Sequence, residues 1–224
     1  MRLCTIWAPQ TPRGARGSSW TLVARHALNP GSAALKAYHL QFEPTAEARP
    51  EWEAGDIVEA QPCNPPEAVE AVMSAQTGEG ELLDVPTALR KHLAGAMLPE
   101  PGEPIDAEAM RALRPLPIRE YSAASIASDG TLDLVIRQVR HDDGQLGIGS
   151  GWLIAHLPVG TTTLLRFRPN PGFRLTAEQP NRPLILIGNG TVIAGLRAHL
   201  RAQAHGGHKS HWLVTVFASP PIEC

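Results

Sequence analysis

Hydrophobic and polar positions alternate with a period of two early in the chain. Residues 20–26 (WTLVARH) read as one strand, and residues 37–43 (AYHLQFE), where Tyr38, Leu40 and Phe42 alternate with His39 and Gln41, read as a second. Asn29-Pro30-Gly31 between them is a turn signal, so the two are expected to pair antiparallel. A third strand is expected at 56–60, after Ala54-Gly55. The period then lengthens: Val69, Val72 and Met73 in residues 66–75, and Leu89 and Leu93 in 86–97, predict two helices forming an inserted helical patch. Residues 99–104 form a Pro/Gly linker, and strand character returns over 116–126. Asp129-Gly130 predicts a hairpin turn leading into a strand at 132–139.

The last third has a different texture. Residues 161–169 read as a strand, and 183–188 (PLILIG) form a continuous apolar run, the signature of a parallel strand buried on both faces. Residues 191–203 place Ile193, Leu196 and Leu200 on one helical face, with Thr191 as the expected N-cap after the Gly188-Asn189-Gly190 turn. A strand at 212–217 would complete one βαβ crossover. Residues 1–17 carry Pro, Gly and Arg without apolar periodicity and read as a flexible lead-in.

Composition narrows the function classes. With 224 residues the chain makes one large or two small domains. Lys plus Arg number 20 against 22 Asp plus Glu, a formal net charge of -2, which provides no basic field for nucleic acid or anionic membrane surfaces. Cys4, Cys63 and Cys224 are far apart and include no C-x-x-C pair, so neither a disulfide framework nor a cysteine zinc site is expected. No apolar run approaches the roughly 18 residues that span a bilayer. A soluble, cytoplasmic protein is expected. The 20 Gly and 21 Pro, with aromatics at 5%, predict many turns and short elements.

Three clusters carry candidate chemistry. In REYSAAS, a strand would put Arg119 and Tyr121 on one face and Ser122 on the other. Arginine grips diphosphates, tyrosine stacks on flat rings, and a serine hydroxyl or its amide meets a ring nitrogen; an ordinary strand with an exposed arginine has the same residues. In GIGSGWL, Gly147, Gly149 and Gly151 precede a helical run, with Ser150 as its cap, which suits a phosphate cradle or a plain hairpin turn before a short helix. In IGNGT, Gly188, Gly190 and Thr191 follow an apolar strand at the end where open α/β sheets bind ligands, though G-x-G-x-x-G is incomplete. His205, His208 and His211 read as a solvated loop rather than a zinc site, and His141-Asp142-Asp143-Gly144 as a hairpin turn. Gly149-Ser150-Gly151 lacks the full spacing of a hydrolase nucleophile elbow.

In this order and spacing, the three clusters resemble the ferredoxin-NADP reductase superfamily, and within it the FAD-binding module of the sulfite reductase flavoprotein and cytochrome P450 reductase group. The resemblance covers about residues 20–213. It implies that Arg119, Tyr121 and Ser122 match an Arg-x-Tyr-Ser motif: diphosphate contact, isoalloxazine stacking and contact near flavin N5, which makes Ser122 the candidate catalytic residue. It implies a FAD-phosphate loop at 147–151 and a pyridine-nucleotide motif at 188–197 that retains Gly188, Gly190, Thr191, Ala194 and Arg197. Asn189 and Gly195 stand where many members have proline, and Val192 replaces the third glycine.

The implied fold is β plus α/β: an antiparallel six-stranded FAD-binding β-barrel at 18–176 with a helical insertion at about 64–98, then an incomplete Rossmann-like NADP-binding lobe at 177–224. The family's NADPH domain continues further, so the resemblance implies C-terminal truncation, with no flavodoxin-like FMN domain upstream. The implied activity is hydride transfer from NADPH to FAD. Electrons would then pass to an acceptor such as a haem protein or sulfite reductase haemoprotein, with an FMN/flavodoxin domain as a possible intermediary. An alternative is a non-catalytic FAD-binding fragment.

Overall fold

The computed structural model describes residues 17–31, 36–45, 51–75, 87–175, 182–208 and 210–216. The expected lead-in, apart from Gly17, lies outside them, as do the boundary at 176–177 and the end of the last strand at 217.

Six strands form one antiparallel sheet: β1 (Ser18–Ala27), β2 (Ala37–Pro44), β3 (Ile57–Ala60), β4 (Arg119–Ser122), β5 (Leu132–Arg137) and β6 (Thr162–Arg168), in the order β4-β3-β6-β1-β2-β5. The period-two pattern explains which side faces inward. Trp20 and Leu22 of β1, Leu40 and Phe42 of β2, Val58 and Ala60 of β3, Leu132 and Leu134 of β5, and Leu165 of β6 are all fully buried in one core. Trp52 stacks on Phe167 with centroids 4.7 Å apart, and Trp20 meets both rings edge-on. Six antiparallel strands agree with the expectation; closure into a barrel does not follow, because no ladder joins β4 to β5 among the described residues. The chain just beyond β4 reaches β5 through the Ala124 N–H, which donates to the Asp133 carbonyl at 2.8 Å.

The expected Asp129-Gly130 hairpin is corrected by this topology. β5 pairs with β2 and β4 with β3, so the connection between β4 and β5 is a 3-10 turn at Ala127–Asp129, closed by the Asp129 carboxylate accepting from Ile126 N–H. The helical patch is also larger than expected. Besides α1 (Pro66–Ser74) and α2 (Thr87–Ala94), a third helix, α3 (Ala107–Ala112), follows the Pro/Gly linker, capped by Asp106 accepting from Glu108 and Ala109 N–H groups. Val69, Val72, Leu89, Leu93, Ile105 and Met110 make its own small core.

After β5 the chain forms α4 (Ile148–Gly151), which widens into a π turn at Trp152–His156. Beyond β6 comes a two-stranded parallel sheet of β7 (Ile185–Asn189) and β8 (Trp212–Val216), crossed over by α5 (Ile193–His205). The parallel pairing agrees with expectation, but burial of β7 on both faces does not. Gly188 faces Leu196 of α5, whereas Ile185, Ile187 and Trp212 are 72%, 68% and 72% exposed, because α5 covers one side only.

α5 is fastened to the six-stranded sheet by charge. Arg197 donates to the Ala124 carbonyl and pairs with Asp133 at 2.7 Å, and Arg201 grips Asp129 with two nitrogens. Ala198 is fully buried against Ala54 and Ile126. Burial alone would raise the carboxyls of Asp56, Asp129 and Asp133. Arg174, Arg201 and Arg197 respectively, with His39 also on Asp133 and backbone donors on Asp56 and Asp129, outweigh that and hold all three below the ordinary value of 3.8.

A carboxyl depressed in the native state binds fewer protons there than in the unfolded chain. Stability is therefore full above the unfolded value and is lost as pH falls through the folded values. Acid unfolding followed by tryptophan fluorescence is expected to set in below about pH 4. Replacing Arg197 with Ala removes the arginine from buried Asp133, leaving it His39 and Gln41, and should cost roughly 2 kcal/mol in urea denaturation. Replacing Arg90, whose partner Glu70 is itself exposed, should change stability by less than about 0.5 kcal/mol.

Candidate functional site

The pleat of β4 turns Arg119 and Tyr121 to one side and Glu120 and Ser122 to the other. On the Arg119 side, α4 crosses so closely that a Cβ on Gly149 would lie 2.6 Å from Arg119 Cγ and 2.8 Å from Tyr121 Oη. The missing side chain is what lets the two segments meet. Ser150 is not the expected cap: Gly147 holds that position, and the buried Ser150 hydroxyl sits inside α4, accepting from the Val139 N–H at 3.0 Å. That bond satisfies a backbone donor where β5 gives way to the loop.

Thr191 is not the N-cap of α5 either. Gly190–Val192 form a 3-10 turn that runs straight into the helix, and Gly190 takes a φ of +56° in open space. The turn instead brings Thr191 to the wall of the cleft that Arg119, Tyr121, Gly147, Gly149 and Ser150 line. Residues from all three clusters thus border one cavity of about 500 Å3. Gly188 and Gly190 do not border it. Gly188 instead packs under Leu196 and Val192. Ser122 lies on the far side of β4 and is exposed, near Gly195 of α5, where a Cβ would come within 3.5 Å of Ser122 Cβ and 2.7 Å of the Phe173 ring. Arg197, a residue of the expected nucleotide motif, is committed to Asp133 and Ala124.

The cleft has an apolar wall of Val135, Ile136, Val139 and Ile148, and among the described residues no Asp or Glu lines it. Its basic side chains are Arg119, Arg137 and His141, and neither arginine pairs with a carboxylate among the described residues. Arg166, Arg168, Arg174, Arg197 and Arg201 are all paired. Arginines without a carboxylate partner among the described residues suit an anionic ligand, and the apolar wall beside Tyr121 suits a flat ring. Burial pushes the Tyr121 phenol up to about 12, against the lowering influence of Arg119. The phenol therefore stays neutral at physiological pH.

Arg137 and His141 escaped the sequence reading. Arg137 closes the Leu132, Leu134, Ile136 alternation of β5, and its position opposite those core residues was the available signal. His141 was read only as part of a turn, and that turn forms, with Gly144 N–H donating to the His141 carbonyl at 2.9 Å. Of the histidines weighed for a metal, His205 lies 3.9 Å from Asp129, and His211 Nδ1 accepts from Leu184 N–H. Among the described residues no group of three His, Cys, Asp or Glu is arranged to hold a metal.

Comparison with curated proteins finds the sulfite reductase [NADPH] flavoprotein alpha-component of Yersinia enterocolitica, 37% identical over 114 residues, 48% of this chain and 18% of that protein. The protein of the same name from Mannheimia succiniciproducens is 32% identical over 108 residues, 46% of this chain and 18% of its own. That of Shewanella sp. strain ANA-3 is 35% identical over 116 residues, 50% of this chain and 19% of its own. This chain is similar, over about half its length, to flavoprotein subunits that it spans by less than a fifth of their own. No protein-family model matches it. Among the described residues no helix is long and apolar enough to cross a membrane.

Two outcomes test the cleft's construction. Gly149→Ala should destabilise the chain by about 1–3 kcal/mol in thermal denaturation, and adding Tyr121→Phe should recover part of that loss by removing the oxygen nearest the new methyl. In an alkaline absorbance titration, the difference between the parent chain and Tyr121→Phe should show one phenol ionising near 12.

Proposed function

We propose that the Arg119 cleft binds FAD and that the chain is the flavin-binding part of an NADPH-dependent flavoprotein reductase. The observation that carries this reading is the convergence of Arg119, Tyr121, Gly147, Gly149, Ser150 and Thr191, from three separate stretches of sequence, on one cleft whose two arginines have no carboxylate partner among the described residues. Similarity to sulfite reductase flavoprotein subunits supports it. In this reading residues 18–176 form the FAD-binding domain and 177–224 part of an NADP-binding lobe.

The cleft fits the group in charge and shape. Gly149 lets α4 close on Arg119 and Tyr121, and Arg119 and Arg137, with no carboxylate partner among the described residues, can take diphosphate charge. Tyr121 offers a neutral ring for stacking beside the apolar wall. Bound FAD would supply hydride acceptance and release of single electrons. The protein's residues hold and orient: Arg119 and Arg137 fix the phosphates, Tyr121 fixes the plane of the ring, and Val135, Ile136 and Ile148 keep water from it. Ser122, at the boundary with α5, is proposed at the reacting edge of the ring, and Gly188, Gly190 and Thr191 on the nicotinamide side. The acceptor is proposed to be a haem protein, reached directly or through an FMN domain.

The test is reconstitution with FAD, removal of free cofactor, and an absorbance spectrum before and after anaerobic NADPH. A yellow protein that NADPH bleaches is expected, and Arg119→Ala should weaken FAD retention at least tenfold with folding intact. A yellow protein that NADPH leaves unchanged would instead support the second reading, an FAD-binding fragment without reductase activity. That reading draws on the commitment of Arg197, a residue of the expected nucleotide motif, to Asp133 and Ala124. A colourless protein would overturn both.

A further inference from the structure

A second cleft, of about 480 Å3, shares no lining residue with the first. It lies where α5 meets the sheet. Trp52 and Ala54 come from the loop before β3, Ile126 and Ala127 from the turn before β5, and His199 and Gln203 from α5. His199 is 2% exposed and Gln203 5% exposed, yet His199 Nδ1 and Gln203 Oε1 have no hydrogen-bond partner among the described residues. Buried polar atoms of native proteins are nearly always satisfied, so two neighbouring exceptions on one cavity wall point to an absent partner.

The chemistry of that partner follows from the two atoms. Burial lowers the His199 pKa, only partly offset by a hydrogen bond with the Phe173 backbone, so the imidazole is neutral at pH 7. The Phe173 ring meets His199 edge-on at 5.0 Å and helps fix its plane. With one ring N–H directed to the Phe173 backbone, Nδ1 presents a lone pair, and Gln203 Oε1 presents another. His199 and Gln203 are one helical turn apart on the same face, so a single group can reach both. A molecule that satisfies them must donate two neighbouring hydrogen bonds and rest an apolar body on Ala54, Ile126 and Ala127.

We propose that this cleft is a binding site for a flat ring carrying an amidine or amino group, whose N–H donors meet His199 Nδ1 and Gln203 Oε1. The site is independent of the flavin reading, since none of its residues line the Arg119 cleft.

The experiment is an amide NMR titration of the full chain with benzamidine, and with benzonitrile as the ring of similar size that can only accept hydrogen bonds. Benzamidine should cause saturable shifts at Ala54, Ala127, His199 and Gln203 and move the His199 Nδ1 resonance, while benzonitrile should bind at least tenfold more weakly. Gln203→Leu keeps the volume and removes one acceptor, so it should weaken benzamidine at least fivefold without lowering the melting temperature. Equal response to the two probes would mean an apolar cleft without donor recognition and would overturn the proposal. So would an unmoved Nδ1 resonance at saturation, shifts confined to the Arg119 cleft, or no saturable shift at millimolar probe; the Nδ1 readout decides the matter even if Gln203→Leu fails to fold.

Discussion

The arrangement of both clefts depends on one charged joint. Asp129, in the turn before β5, and Asp133, within the strand, have side chains only 4% and 5% exposed, and each needs a cation. The arginines that meet them, Arg201 and Arg197, lie one turn apart on α5, so the helix can satisfy both carboxylates in only one position along the sheet. That position carries consequences at both ends of α5. The 3-10 turn leading into it delivers Thr191 to the Arg119 cleft, and its C-terminal half delivers His199 and Gln203 to the second cleft. Apolar contacts reinforce the joint: Ala198 packs against Ala54 and Ile126, and Gly195 and His199 meet the Phe173 ring.

The first cleft illustrates how one small residue organises larger ones. Arg119 and Tyr121 share a side because a strand alternates, and they could equally have faced solvent. Gly149 brings the α4 backbone against them, and the Ser150 hydroxyl ties that turn to Val139 on the chain leaving β5. The result is a positively charged recess with an apolar wall, built from short elements that contribute one or two residues each.

Much of this was legible in the sequence because the signals were local. The strand at Leu40 announced itself by alternation and those at Trp20, Val58, Leu134 and Leu165 as short strand-like stretches, α1 and α2 by Val69, Val72, Leu89 and Leu93, and the shared side of Arg119 and Tyr121 by strand geometry. What escaped depended on partners distant in sequence. Asp129-Gly130 has the composition of a hairpin, but β4 and β5 had already found β3 and β2 as neighbours. Asp106 was a readable cap for α3, hidden by the prolines and glycine before it. Ser150 and Thr191 have cap chemistry, yet a tertiary donor claimed the first and a 3-10 turn displaced the second. The alternation of β5 put Arg137 opposite its core face, but no local pattern brought Arg137 or His141 to Arg119, or marked Arg197 as a structural residue.

The parallel pair of β7 and β8 carries a consequence for how the protein behaves in bulk solution. Its outer face shows Ile185, Ile187, Trp212 and Val214 to water. A formal net charge of -2 supplies little long-range repulsion between molecules. Colloidal stability is thus governed by an oily facet rather than by charge, and salts that strengthen apolar association, sulfate above all, should lower the concentration at which the protein remains dispersed.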